Sequence, residues 1–209
     1  MAIWDVDAQE CVKALHGGHH GPVQCVAASW GVGKALSGSM DGGVMLWDLH
    51  TGTRIPMQGH MVWVADVALD PDFRYGVSGS IDGMLRVWDF RVNSCVRTVR
   101  NRWGDVKCLA VEWDTGKVLS GNASGGLTLW DLVEGRLVGF LETAGACRDV
   151  SCVAADWDAG CAVTGSQAGE MAMWDLKGLE CVQVWRAEDP QPGGFDPEVK
   201  SIALAQVGS

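Results

Sequence analysis

Several common features are scarce or missing here. The 209 residues include six prolines, four phenylalanines and one tyrosine. No stretch approaches the roughly 18 apolar residues of a membrane helix, so no membrane span is expected. No run of Lys or Arg occurs and the formal net charge is −10, so phosphate-rich surfaces would repel the chain. Neither a nucleic acid nor a membrane is expected as a partner. The first residues, "MAIWDVDAQE", lack the apolar core of a secretory signal. A cytoplasmic or nuclear, not secreted, protein is therefore expected, with its eight cysteines reduced. No segment keeps a helical period.

Tryptophan is abundant at 11 and glycine at 28. Trp-Asp occurs at Trp4-Asp5, Trp47-Asp48, Trp88-Asp89, Trp130-Asp131 and Trp174-Asp175, at intervals of 43, 41, 42 and 44 residues. The flanking sequence keeps step. "ALSGSMDGGVMLWDL" (35–49) aligns with "GVSGSIDGMLRVWDF" (76–90), "VLSGNASGGLTLWDL" (118–132) and "AVTGSQAGEMAMWDL" (162–176). Upstream stand "VQCVAAS", "VADVALD", "VKCLAVE" and "VSCVAAD", with a further "VKSIALA" near residue 200. Each unit reads as four short strands separated by Gly/Asp/Asn turns. Such a unit cannot bury both faces alone, and radial stacking of neighbours solves this. Leu85 and Val87 point to one face and Arg86 and Trp88 to the other; Val44/Leu46, Leu127/Leu129 and Met171/Met173 repeat the first pair as filling between units.

These units resemble WD40 repeats, over essentially the whole chain. The resemblance implies an all-β fold, a β-propeller of four-stranded antiparallel blades, here about four full blades plus partial terminal blades. The expected divisions are a partial blade at 1–17, blades at about 18–59, 60–100, 101–143 and 144–186, an extra loop at 186–198, and a partial blade at 199–209 whose first strand covers 199–205. Seven-bladed rings need about 290 residues. The sequence is therefore read as a fragment, a small five-bladed ring, or an open arc able to self-associate.

The resemblance also implies an internal hydrogen-bonded tetrad in the blades. Carried over, it comprises His19, Ser37, Asp41 and Trp47 in the first full blade, and His60, Ser78, Asp82 and Trp88 in the second. Ser39 and Ser80 are alternatives for the serines. The later blades depart from the pattern: Arg102 and Ala146 replace the histidine, and Ser124 and Ala168 replace the turn aspartate. Those blades are expected to be less rigid.

No catalytic constellation stands out. "HGGHH" (16–20) offers three histidines but no converging ligand set, so no metal and no cofactor is expected. Cys25, Cys108 and Cys152 share one strand slot, and Cys11, Cys95 and Cys181 another, as small apolar fillers. Cys147 falls in a loop and is a candidate reactive thiol. The loop "RAEDPQPGGFDPE" is read as a solvated insertion, with capture of a basic peptide as the alternative. Asp48, Asp89, Asp131 and Asp175 are read as turn formers.

The function expected is a non-catalytic scaffold for protein–protein interaction and complex assembly, binding a protein or peptide across one face. The alternative is a substrate-recruiting or regulatory domain of a larger enzyme or ubiquitin-ligase adaptor chain. Candidate contacts are Trp63, Trp103, Arg102, Met40 and Ile81, because aromatic, Met and Arg groups anchor interfaces. The tryptophans could instead cover neighbouring strands. Trp30, Trp113 and Trp157 recur at one slot on the opposite face and are read as structural.

Overall fold

A computed structural model describes residues 1–142, 148–186 and 198–203. Among these residues there is no helix. A two-stranded sheet opens the order, with β1 (Ala2–Asp5) and β2 (Glu10–Ala14). Four antiparallel four-stranded sheets follow. Blade 1 comprises β3 (Val23–Ser29), β4 (Lys34–Ser39), β5 (Val44–Asp48) and β6 (Arg54–Met57). Blade 2 comprises β7 (Val64–Leu69), β8 (Tyr75–Ser80), β9 (Met84–Asp89) and β10 (Ser94–Arg100). Blade 3 comprises β11 (Cys108–Glu112), β12 (Lys117–Gly121), β13 (Leu127–Asp131) and β14 (Arg136–Leu141). Blade 4 comprises β15 (Val150–Asp156), β16 (Cys161–Ser166), β17 (Glu170–Asp175) and β18 (Glu180–Arg186). In every sheet consecutive strands are neighbours. The tight turn between the second and third strands needs a left-handed residue, and Gly42, Gly83, Gly125 and Gly169 supply φ of 79°, 78°, 94° and 79°.

The core lies in the seams between blades. Leu36, Val44 and Leu46 of blade 1 pack with Val64, Val67, Trp88 and Phe90 of blade 2. Val77 and Leu85 pack with Val106, Leu109, Trp130 and Leu132 in the next seam, and Leu119, Leu127 and Leu129 with Ala162, Ala172 and Trp174 in the last. Trp88, Trp130 and Trp174 thus bury their rings against the preceding blade, whereas Trp4 is exposed. Ile3 of β1, with Met1 and Leu15 flanking the first sheet, meets Trp47 in the same way.

The Ser-Gly pair of each second strand has a packing purpose that periodicity does not reveal. A Cβ built at Gly38 would stand 2.5 Å from Val64 Cγ1; at Gly79, 2.4 Å from Val106; at Gly121, 2.6 Å from Val150. In blades 2, 3 and 4 a valine at or just before the first strand presses onto the glycine of the preceding blade. Val199 does the same to Gly165, at 2.5 Å, and its amide donates to Ser166 O at 3.0 Å. The strand expected over 199–205 is not formed in its described part. Residues 198–203 dock through Val199 but carry no strand assignment, because no second strand lies beside them to complete a ladder. Val23 holds the equivalent position on β3, yet it is 40 % exposed. Val26 is 60 % exposed, whereas Val67 at the same slot of blade 2 is 6 % exposed. Trp30 is uncovered on this flank too, while Trp113 and Trp157 are half-buried against their seams.

Blade 2 departs from the cysteine slot of the first strands. Asp66 stands where the other blades have Cys25, Cys108 and Cys152. Its carboxylate accepts from Leu109 N at 2.7 Å across the seam and from Val67 N at 2.8 Å. Burial pushes this carboxyl up to about 6, against the pull of those two amides. Desolvation also raises the Cys25 thiol, to about 12, and the Cys108 thiol well above its ordinary value. These thiols are inert fillers. Cys147 lies outside the described residues.

Candidate protein-docking face

The blades are braced from inside. In blade 2, Trp88 Nε1 donates to Ser78 Oγ at 2.8 Å, and the hydroxyl lies 2.7 Å from His60 Nε2. His60 Nδ1 lies 3.0 Å from Asp82 Oδ2. Donor accounting fixes the direction: Ser78 donates to Nε2, and Nδ1–H donates to Asp82. His60 is thus neutral, in keeping with burial, which lowers its pKa despite the raising influence of Asp82. In blade 1, Trp47 Nε1 donates to Ser37 Oγ at 2.8 Å and His19 Nε2 lies 2.7 Å away. His19 Nδ1 is 3.5 Å from Asp41 Oδ1, too long for a good hydrogen bond. Asp41 instead accepts from the amides of His20, Gly21 and Gly43. Partial burial opposes its ionisation, but these amides hold the carboxyl at about 2.

Ser39 and Ser80 do other work: their hydroxyls accept from Asp41 N and Asp82 N and tie the turns. In blades 3 and 4, Trp130 and Trp174 donate to Ser120 Oγ and Thr164 Oγ1 at 3.0 and 2.9 Å. Arg102 is exposed, and Ala146 lies outside the described residues. Asn122 replaces the serine hydroxyl, its Oδ1 accepting from the amides of Ser124 and Gly126.

The braced turns carry a continuous face. A Cβ at Gly42 would stand 3.0 Å from His60 O, so the blade 1 turn leans on the loop entering blade 2. A Cβ at Gly83 would stand 3.0 Å from Gly104 O, the same relation one blade on. Ile81 N donates to Trp63 O at 3.1 Å, bringing these two candidates side by side. Met61 beside them is 88 % exposed, Trp63 46 % and Ile81 37 %. Met40 is half-buried at the blade 1 turn, its amide donating to Pro22 O at 3.0 Å. A cavity of about 600 Å³ separates the Ile81–Gly83 turn from the loop holding Arg100, Arg102 and Asp105. Trp103 is placed differently. It stacks on Phe140 with ring centroids 4.3 Å apart and planes 7° from parallel, so one ring face is already covered. Buried Asn101, missed in the sequence, sets this loop: its Oδ1 accepts from Trp103 N and its Nδ2 donates to Asp105 O.

Hydroxyl and histidine here lock an indole in place, with Asp82 holding the histidine in blade 2. Among the described residues no group of three or more His, Cys, Asp or Glu is placed to hold a metal. The profile of the family described as WD domain, G-beta repeat, matches residues 9–48 and 52–89, the segments that hold Ser37 with Trp47 and Ser78 with Trp88. Those two segments are WD40 repeats. A curated relative, eukaryotic translation initiation factor 3 subunit I of Danio rerio, is 41 % identical over 51 residues. That match spans 24 % of this chain and 16 % of the relative. Blades 3 and 4, in which the histidine and turn aspartate are replaced, lie outside the matched segments.

Proposed function

We propose that this WD40 chain is a non-catalytic scaffold that docks a protein partner on the face built by the loops entering each blade and the turns after each second strand. The apolar cluster of Met61, Trp63 and Ile81 carries this reading. These positions differ from blade to blade: Pro22 and Asp105 stand in the place of Trp63, and Met40, Ala123 and Gln167 in that of Ile81. A structural requirement of the fold would repeat; a recognition surface need not. Arg102 at the edge adds an exposed cation, and Trp103, backed by Phe140, offers a rigid edge. The relative's name marks it as a subunit of a larger factor, which favours work inside a multi-protein assembly in the cytoplasm. The uncovered flank of β3 supports self-association as a secondary contact.

The test is affinity capture with quantitative mass spectrometry. Trp63→Ala/Ile81→Ala is expected to lose most specific partners at unchanged thermal stability, because truncating aromatic and aliphatic anchors costs about 2 kcal/mol or more each. An unchanged partner set would remove this face. Trp103 is left intact in that variant, since its removal would strip Phe140 of its cover.

A further inference from the structure

The seam between blades 2 and 3 differs from its two neighbours at the end opposite the Met61–Trp63–Ile81 loops. In the seam of blades 1 and 2, Phe73 stacks on Phe90 at 4.7 Å and fills the opening. In the seam of blades 3 and 4, Leu179 plugs it: a Cβ at Gly139 would stand 2.6 Å from Leu179 Cδ1. Counting from the Trp-Asp pairs, blade 3 has Gly135 where blade 4 has Leu179. Counting from the paired registers, blade 2 has Arg97 where blade 3 has Gly139. The large and small partners are exchanged, and the large one is now a cation. A Cβ at Gly135 would stand 2.4 Å from Arg97 Nη1.

The seam is consequently left open. A cavity of about 370 Å³ lies there, floored by Val77, Val87, Val111 and Leu132 and walled by Trp113. That volume lies in the range of small recognition pockets. Val96 and Val133 stand exposed at its mouth. The neighbouring arginines are engaged: Arg74 pairs with Asp70 at 3.0 Å and Arg91 with Asp89 at 2.5 Å. Arg97, by contrast, has no side-chain hydrogen bond or ion pair among the described residues. Asp114, exposed on the blade 3 wall, leaves room for one added carboxylate rather than an acidic run.

We propose that this seam is a second docking groove, for a peptide segment presenting an apolar side chain beside a single carboxylate. The side chain enters against Trp113 and Leu132, and the carboxylate meets Arg97, whose planar fork suits it. This reading is independent of the docking face above.

Short labelled peptides containing Leu-Asp, Phe-Asp or Trp-Glu in Gly/Ser flanks, with Asn or Gln counterparts, test it by fluorescence anisotropy on the full chain. At least one acidic peptide is expected to bind more tightly than its amide counterpart. Arg97→Gln should erase that preference, a loss of about tenfold for a charge-assisted bond. Val133→Glu, at an exposed position, should block binding by offering Arg97 an internal carboxylate. Trp63→Ala/Ile81→Ala should bind as wild type does. The groove is overturned if no peptide of the panel binds, if acidic and amide peptides bind alike, if binding survives Val133→Glu, or if it disappears with Trp63 and Ile81.

Discussion

Ser78→Ala is expected to lower the unfolding free energy by about 2–5 kcal/mol, because one hydroxyl serves two buried groups. Trp88 Nε1 loses its acceptor and His60 Nε2 loses its donor, and both side chains are buried. Ser120→Ala in blade 3 removes only the acceptor of Trp130, and about 1–3 kcal/mol is expected. Denaturation alone is a blunt reader of a repeat fold, whose blades can open separately. Hydrogen exchange resolves them: Ser78→Ala should strip protection from β8 and β9, Ser120→Ala less so from β12 and β13. Equal losses would show that the histidine adds nothing to the brace. On the same reasoning, blades 3 and 4 give up protection before blades 1 and 2.

Asp66→Asn is expected to stabilise the protein at pH 8, by up to about 3 kcal/mol, the equivalent of a two-unit shift. The carboxyl moves from an ordinary 3.8 to about 6 on folding, with burial as the main cause. A group raised in this way contributes stability that is fully present below pH 3.8 and lost as pH rises through about 6. The variant's advantage should therefore shrink as pH falls from about 6 and vanish near 3.8. Asn keeps an acceptor for Leu109 N–H and gives up the second oxygen, so 3 is a ceiling. His60 works in the opposite sense. Its pKa is lowered by burial, so its contribution is present above 6.5 and fades as pH falls through the lowered value. The variant leaves that response intact, and its stability should decline steadily with acid. Urea midpoints across this range check the account; a pH-independent difference would contradict the assignment to Asp66.

The blade architecture was legible because the Trp-Asp ladder, the Gly turns and the Val/Leu alternation recur, and recurrence is what a sequence displays. The serine of each brace was not. Ser37 and Ser39 are two residues apart on one strand face, and only the indole's reach separates acceptor from turn former. Contacts across a seam were hidden as well. The glycines under Val64, Val106 and Val150, and the exchange of Leu179/Gly139 for Gly135/Arg97, join residues of different units that share no local pattern. Trp103 shows the converse limit: its composition resembled an interface anchor, but Phe140 from the blade's outer strand occupies one of its faces. The segment at 199–205 had strand chemistry without a strand neighbour, and pattern reports only the first.

The most direct test of the scaffold reading is photocross-linking in native extract from a benzophenone side chain placed at Ile81, compared with one at Asp158, an exposed position on the opposite loops of blade 4. Discrete protein adducts from position 81 that are absent from position 158 are the predicted result. No adduct from 81, or the same adducts from both, would contradict a partner docked on the Met61–Trp63–Ile81 face.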